Sequence, residues 1–416
     1  MNVSPKLLFP HEKLAFPIQL DSYDYRAVCL FCACMVYALF GSPTPDTFGW
    51  AELCVGVLLA LSIGIGRARD AVLQPVKKRF WKTVGQFFLI YGLSVPLGVA
   101  VVYGHDFVSV IRDLVPFLFL FLPLFLLQMI RARPYYFRST CFAVLMIGLL
   151  FSLRSLFMRY GVGCEIWCRD ELLYLENMPS VLFSCLFLIG LAMYFVFRNF
   201  SVSSMVLGVT LITLSFLPLV AMVVTLQRAS LGAVFLYIIL VLGYFIYKSP
   251  ARAMGVIVCG VFVVTLINLS FSHIFDSLLD KTYKVGLNMR PQEFEAVWNV
   301  VTRDVWTFLF GTGWGGHFNS PAVGGLNVNF THNFFSSVLL KTGLLGIIFC
   351  VSYIVGLLER LSRVVFMNPV FGLALAAPIL IDLTLYASFK SLDFGLVLLM
   401  ISSSLVYFRQ SESLQD

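Results

Sequence analysis

Apolar residues in this chain come in long unbroken runs, not in the every-third-and-fourth or alternating patterns of a soluble core. "AVCLFCACMVYALFG" (27–41) and "LGAVFLYIILVLGYFIY" (231–247) are typical. About 20 such residues in a helix cross a bilayer. Taken in order, the runs predict twelve spans, near 26–41, 49–66, 83–103, 114–130, 139–157, 180–197, 204–226, 231–247, 254–270, 334–357, 365–387 and 391–408. The expected fold class is all-α, a polytopic membrane protein with about 12 transmembrane helices. Residues 1–25 are polar and the first apolar run is long enough to span, so no cleaved signal segment is expected.

The polar stretches between the runs divide the chain. Residues 1–270 hold spans one to nine, 334–416 hold spans ten to twelve and a tail, and 271–333 form a large outer loop between spans nine and ten. Long connections of this kind are usually functional or disordered, and this one has a helical pattern. In "RPQEFEAVWNVVTRDVWTFLF" (290–310), Phe294, Val297, Trp298, Val301, Val305, Phe308 and Leu309 recur at spacings of three and four. An amphipathic helix along the membrane–water boundary accounts for them, and so does a helix packed on the bundle. Pro291 suits its first turn, and "GTGWGG" (311–316) ends it.

Charge sets the orientation, because Lys and Arg accumulate in short cytoplasmic loops. Arg67, Arg69, Lys77, Lys78, Arg79, Lys82, Arg131, Arg133, Arg138, Arg198, Lys248, Arg252, Arg360 and Arg363 all fall on one side of a twelve-span thread. Both termini share that side, which makes them cytoplasmic. The six tryptophans (Trp50, Trp81, Trp167, Trp298, Trp306, Trp314) fall at span ends or in outer loops, where amphipathic rings prefer to lie.

Composition agrees. Hydrophobic residues make up 59% of the 416, charged residues only 12%, and mean hydropathy is +0.90. Soluble domains carry roughly 25% charged residues. The net charge of +7 reflects membrane orientation, and without a basic stripe interleaved with aromatics no nucleic-acid partner is expected. Eight of the ten cysteines fall in spans as small apolar fillers. Cys164 and Cys168 fall outside, without the further ligands that zinc needs, and are read either as a disulfide or as two thiols.

The outer-side cations that break the charge rule include three arginines and a histidine. Arg154 lies within span five, where an ionised group is expensive and usually functional. Arg228 occupies "TLQRASLG", a turn between spans seven and eight with almost no loop around it, and Arg290 precedes the amphipathic helix. His332 and Asn333 stand before span ten in an H-N-x9-G-x-x-G run that ends at Gly343 and Gly346. Interfacial snorkelling is the plain alternative for each cation. Planar guanidinium groups grip phosphate oxygens two at a time, so arginines gathered at one face suit a phosphate or diphosphate at headgroup depth. Gly311, Gly313 and Gly316 match G-x-G-x-x-G, but a helix precedes them where a nucleotide site needs a strand. They are read as a flexible turn whose N–H groups could face an anion. The outer acids, Asp276, Asp280, Glu293, Glu295 and Asp304, contain no D-x-D pair, so no metal site is expected.

The Q-R-A-S-L-G turn, the Arg-then-Trp helix, the glycine turn and the H-N-x9-G-x-x-G run resemble the bacterial O-antigen ligase family over residues 225–360. The family includes O-antigen polymerases and certain protein oligosaccharyltransferases. The resemblance implies an inner-membrane glycosyltransferase of lipopolysaccharide biosynthesis. Such an enzyme moves a glycan from undecaprenyl diphosphate to a hydroxyl of lipid A–core oligosaccharide at the periplasmic face, with inversion and without metal or other cofactor. The implied catalytic residues are Arg228, Arg290 and His332, with Arg154, Asn333 and Trp298 as substrate-binding residues. His332 would either take the acceptor's proton or, protonated, steady the departing diphosphate. Asn333 would orient the imidazole or cap the helix, and Gly343 and Gly346 would be close helix-packing positions. Pro291 and Lys341 depart from the family pattern and leave the acceptor type open. The rivals are a polymerase of lipid-linked repeat units and a twelve-span transporter, for which only a G-x-x-x-D fragment (Gly66, Asp70) speaks.

Overall fold

A computed structural model describes residues 21–43, 49–73, 80–161, 174–198, 201–250 and 289–413. The predicted span 254–270, the first part of the outer loop, His273, Trp167 and both Cys164 and Cys168 lie outside the described residues. The described part is helical almost throughout: α1 (Ser22–Phe40), α2 (Trp50–Ile63), α3 (Ile65–Leu73), α4 (Phe80–Tyr103), α5 (Phe107–Phe119), α6 (Leu122–Ala132), α7 (Tyr135–Arg159), α8 (Pro179–Arg198), α9 (Val202–Val224), α10 (Arg228–Lys248), α11 (Arg290–Val301), α12 (Val305–Phe310), α13 (Phe334–Met367), α14 (Pro369–Thr384) and α15 (Leu392–Ser413). A small antiparallel hairpin joins α12 to α13, with β1 (Phe318–Ser320) paired to β2 (Leu326–Val328) so that Phe318 opposes Val328.

The protein is polytopic. Among the described residues, eight helices are long and apolar enough to cross a membrane, taking α5 and α6 as one. The bent pair α2–α3, which turns by 68°, makes a ninth if it counts as one span, and α14 and α15 are shorter apolar helices. Two kinds of all-apolar helix occur, as expected for surfaces that meet either protein or lipid. The stretch Phe394–Ile401 of α15 is buried nearly all round, and the Ser402, Ser403 and Ser404 hydroxyls bond back to carbonyls of their own helix. By contrast, α9 and α10 leave rows such as Val202, Val206 and Val209, or Phe235, Leu236 and Ile239, uncovered.

Several features differ from the sequence reading. The break placed at 358–364 does not exist: α13 runs on to Met367, and Asn368 caps α14 by accepting the Phe371 N–H at 3.1 Å, with Pro369 next. Arg360 therefore lies within a helix, reaching the Ser402 carbonyl at 2.7 Å and covering the Trp81 ring. The 291–310 helix is two helices, because Asp304 caps α12 afresh, accepting the Thr307 N–H at 2.8 Å. Gly343 is not simply a packing position in a continuous helix. Its φ of +64° kinks α13, and a Cβ there would lie 2.5 Å from the Leu309 carbonyl and the Gly311 nitrogen. Finally, Trp81 and Trp314 are buried inside the bundle, unlike the exposed Trp50, Trp298 and Trp306.

Candidate active site

Each of the three residues expected to carry chemistry stands where a helix begins. The turn from α9 to α10 is closed by the Leu226 N–H on the Val223 carbonyl (2.9 Å) and the Gln227 N–H on the Met222 carbonyl (3.0 Å). Leu226 takes a left-handed φ of +52°, an arrangement that costs a β-carbon-bearing residue about 1–2 kcal/mol. Arg228 follows as the first residue of α10. Met289 repeats the pattern with φ +54°, and Arg290 is the first residue of α11, with Pro291 behind it. His332 lies just before α13, whose N-cap is Asn333. Helix amino ends carry partial positive charge and unpaired N–H groups, so cations there are placed against the dipole and anions with it.

The fold brings these three ends together. Burial lowers the Arg290 guanidinium from its ordinary value and the nearby Arg228 charge lowers it further, while Tyr386 and Glu293 oppose the change. Tyr386, in the link after α14, lies within reach of Ser230, Arg290 and Arg228. The Nε of Arg290 and both polar atoms of the Gln227 amide are buried with no hydrogen-bond partner among the described residues. Unmade hydrogen bonds of this kind cost about 1–3 kcal/mol each, and here they sit beside two like charges.

Glu293, one turn into α11, is the anionic member of the group. Its side chain is only 2% exposed. Its Oε2 accepts the His332 backbone N–H at 2.9 Å, its two oxygens lie 3.1 and 3.2 Å from His332 Nδ1, and Ser320 Oγ donates to Oε1 at 2.8 Å. Burial raises the carboxyl, but the bonds from His332 and Ser320 outweigh it and hold Glu293 below the ordinary carboxylate value. The His332 ring remains 23% exposed, with Phe330 edge-on at 5.8 Å.

The other expected residues are placed differently. Asn333 acts as a cap, its Oδ1 accepting the Phe335 and Ser336 N–H groups at 2.9 and 3.2 Å and its Nδ2 reaching the Thr384 carbonyl at 3.3 Å. Trp298 stacks beside Phe294 on the exposed face of α11, away from the buried side formed by Glu293, Val297 and Val301. Arg154 is buried where α7 meets the end of α1, and its Nη1 donates to the Ala38 and Gly41 carbonyls at 2.9 and 3.1 Å.

The glycine turn is pinned, not flexible. Pro96 has no N–H to give the Gly92 carbonyl within α4, and the Trp314 indole supplies one at 2.8 Å. A Cβ at Gly313 would lie 2.7 Å from the Ala100 nitrogen, so only glycine fits this close approach. The anion its N–H groups face is internal: Gly315 N–H donates to Asp113 Oδ2 at 2.8 Å. Asp113 also holds Lys341 at 2.6 Å and Lys390 at 2.9 Å, and Lys341 bonds the Gly316 carbonyl. This knot ties the α13 segment after His332 to the 3-10 turn (Ala387–Lys390) after Tyr386. All three charges fall within or beside apolar runs, so their presence was visible in the sequence; their pairing was not. Glu293 was visible only as one scattered acid, and Tyr386 not at all.

Two guanidinium groups at helix amino ends and a partly exposed imidazole can hold an anion next to a group that takes up or gives a proton. No model of a known protein family matches the chain, and no curated protein does.

Proposed function

We propose that this protein is an O-antigen ligase, an inverting, metal-independent glycosyltransferase of a bacterial inner membrane with twelve spans, cytoplasmic termini and its reaction centre facing the periplasm. The observation that carries the reading is the meeting of Arg228 and Arg290 at helix amino ends beside His332, with buried donors unmatched among the described residues. Like charges brought together in that way are stabilised by a bound anion of two or more charges, and a lipid diphosphate at headgroup depth is one. The resemblance of residues 225–360 to the O-antigen ligase family supplies the substrates, an undecaprenyl diphosphate-linked glycan and a lipid A–core acceptor.

In this reading the acceptor oxygen attacks the anomeric carbon as His332 takes its proton. The bond from that carbon to the diphosphate oxygen breaks, and the electron pair leaves with the diphosphate. Arg228 and Arg290 stabilise the charge that builds there. The products are the inverted glycoside and undecaprenyl diphosphate, and His332 returns its proton to water. The Phe294–Trp298 pair, exposed on α11, meets the glycan or the lipid headgroups. The test is a deletion strain, which should show bare lipid A–core and retain long glycan chains on undecaprenyl diphosphate. A core bearing a single repeat unit would make the enzyme a polymerase instead.

A further inference from the structure

We infer that Glu293 is the positioning residue of the reaction, holding His332 as the Nδ1–H tautomer so that Nε2 is the nitrogen presented to the acceptor hydroxyl. The inference rests on the catalytic reading of His332 given above. An ionised carboxylate can only accept hydrogen bonds, so the imidazole nitrogen that faces it must carry the hydrogen. Nδ1 lies 3.1 and 3.2 Å from the two Glu293 oxygens, which leaves Nε2 without a proton in the neutral ring. The same carboxylate takes the His332 backbone N–H at 2.9 Å, so it fixes the segment as well as the ring. Ser320 holds the carboxylate in turn, from a strand of the hairpin packed on α11.

Placement supports a role in chemistry over one in packing. A buried acid at this point in the fold could have neutralised Arg290, which lies within its electrostatic reach three residues earlier on the same helix. Its hydrogen bonds go to His332 and Ser320, and Arg290 Nε has none among the described residues. Glu293 thus directs its hydrogen bonds to the imidazole, which acquires a fixed tautomer, and not to Arg290. When His332 takes the acceptor's proton, the charged ring forms against a carboxylate already aligned with it. A residue behind a ligating or catalytic histidine commonly acts in this way, and losing it costs about 10–100-fold or more.

The experiment uses the full-length protein reconstituted in liposomes, with lipid-linked donor, lipid A–core acceptor and 15N-histidine labelling. His332 resonances are assigned by their loss in His332→Gln. Wild type should show hydrogen on Nδ1, and Glu293→Gln, whose amide can donate or accept, should mix the tautomers. Glu293→Gln should lower kcat by about 100-fold with KM changed less than about threefold. Glu293→Asp should recover part of the rate, and Ser320→Ala, the gentler variant should Glu293→Gln misfold, should mix the tautomers slightly. Hydrogen on Nε2 in wild type overturns the inference whatever the activity. So does a kcat within threefold of wild type in a folded Glu293→Gln whose tautomers have mixed. A fully active His332→Ala, or a wild type that transfers nothing, overturns the catalytic reading instead; the tautomer assignment is then judged by the spectra alone.

Discussion

Two corners of this protein, both on the side that the charge rule predicts to be poor in cations, hold arginines, buried at one and half-buried at the other, and treat them in opposite ways. At the first corner Arg154 donates to the Ala38 and Gly41 carbonyls, where α1 ends. Carbonyl ends of helices carry partial negative charge, so the guanidinium completes α1 and the dipole favours it. At the second corner Arg228 and Arg290 open α10 and α11 and lie near each other, at ends whose dipoles favour an anion. Both corners draw a cation at least partly out of solvent. What differs is which end of a helix it meets, and in the proposed reading that decides whether the charge finishes a structure or faces a substrate.

Alanine at the second corner should have the largest effect. Arg228→Ala and Arg290→Ala are each expected to lower glycan transfer by about 100–1,000-fold, the loss typical of one preorganised donor to a transition-state charge. Membrane insertion and melting temperature should hold. Lysine at either position should recover only part, since it keeps the charge and loses the planar fork. Transfer in purified liposomes measures this, and a wild-type rate in either alanine variant would remove that residue from the reaction.

Arg154→Ala should do the reverse. Removing a charged donor from two buried carbonyls costs about 2–4 kcal/mol, which thermal unfolding in detergent would record as a melting point lower by several degrees. The rate per folded molecule should stay close to wild type. A large fall in rate with no loss of stability would move Arg154 from the first corner's logic to the second's.

How much of this contrast the sequence holds depends on the residue. Arg228 and His332 were legible because each sits at the edge of an apolar run, and Arg290 because a proline marks its helix start. Arg154 was equally conspicuous, but a charge within a span has two explanations, and only the position of the α1 carbonyls separates them. Glu293 pairs with a histidine 39 residues away, and no local spacing encodes that. Helix content followed from hydropathy, whereas breaks inside runs did not. The Asn368–Pro369 cap lies within an apolar stretch that hydropathy carries straight through, and the Gly343 kink depends on the backbone of a distant loop. The glycine turn looked mobile because glycines are permissive; here they are required by close contact with α4 and α13.

The smallest effect separates a cap from a ligand within the second corner itself. Asn333 adjoins His332, yet its Oδ1 accepts two N–H groups of α13 and its Nδ2 reaches the Thr384 carbonyl at a long 3.3 Å. Those contacts belong to the first corner's logic, a side chain completing a helix end. Asn333→Ala should therefore cost about 1 kcal/mol, the usual worth of an N-cap, and lower the melting temperature by a few degrees at most. Asn333→Ser restores a good cap while removing the amide donor. If the amide touches only protein, the serine variant should match wild type in both stability and transfer. If it also grips the glycan or the diphosphate, stability should return with serine while KM for the donor rises. A serine variant that is stable but weak in donor binding would make Asn333 a substrate residue, and would show that one side chain can serve both corners' purposes.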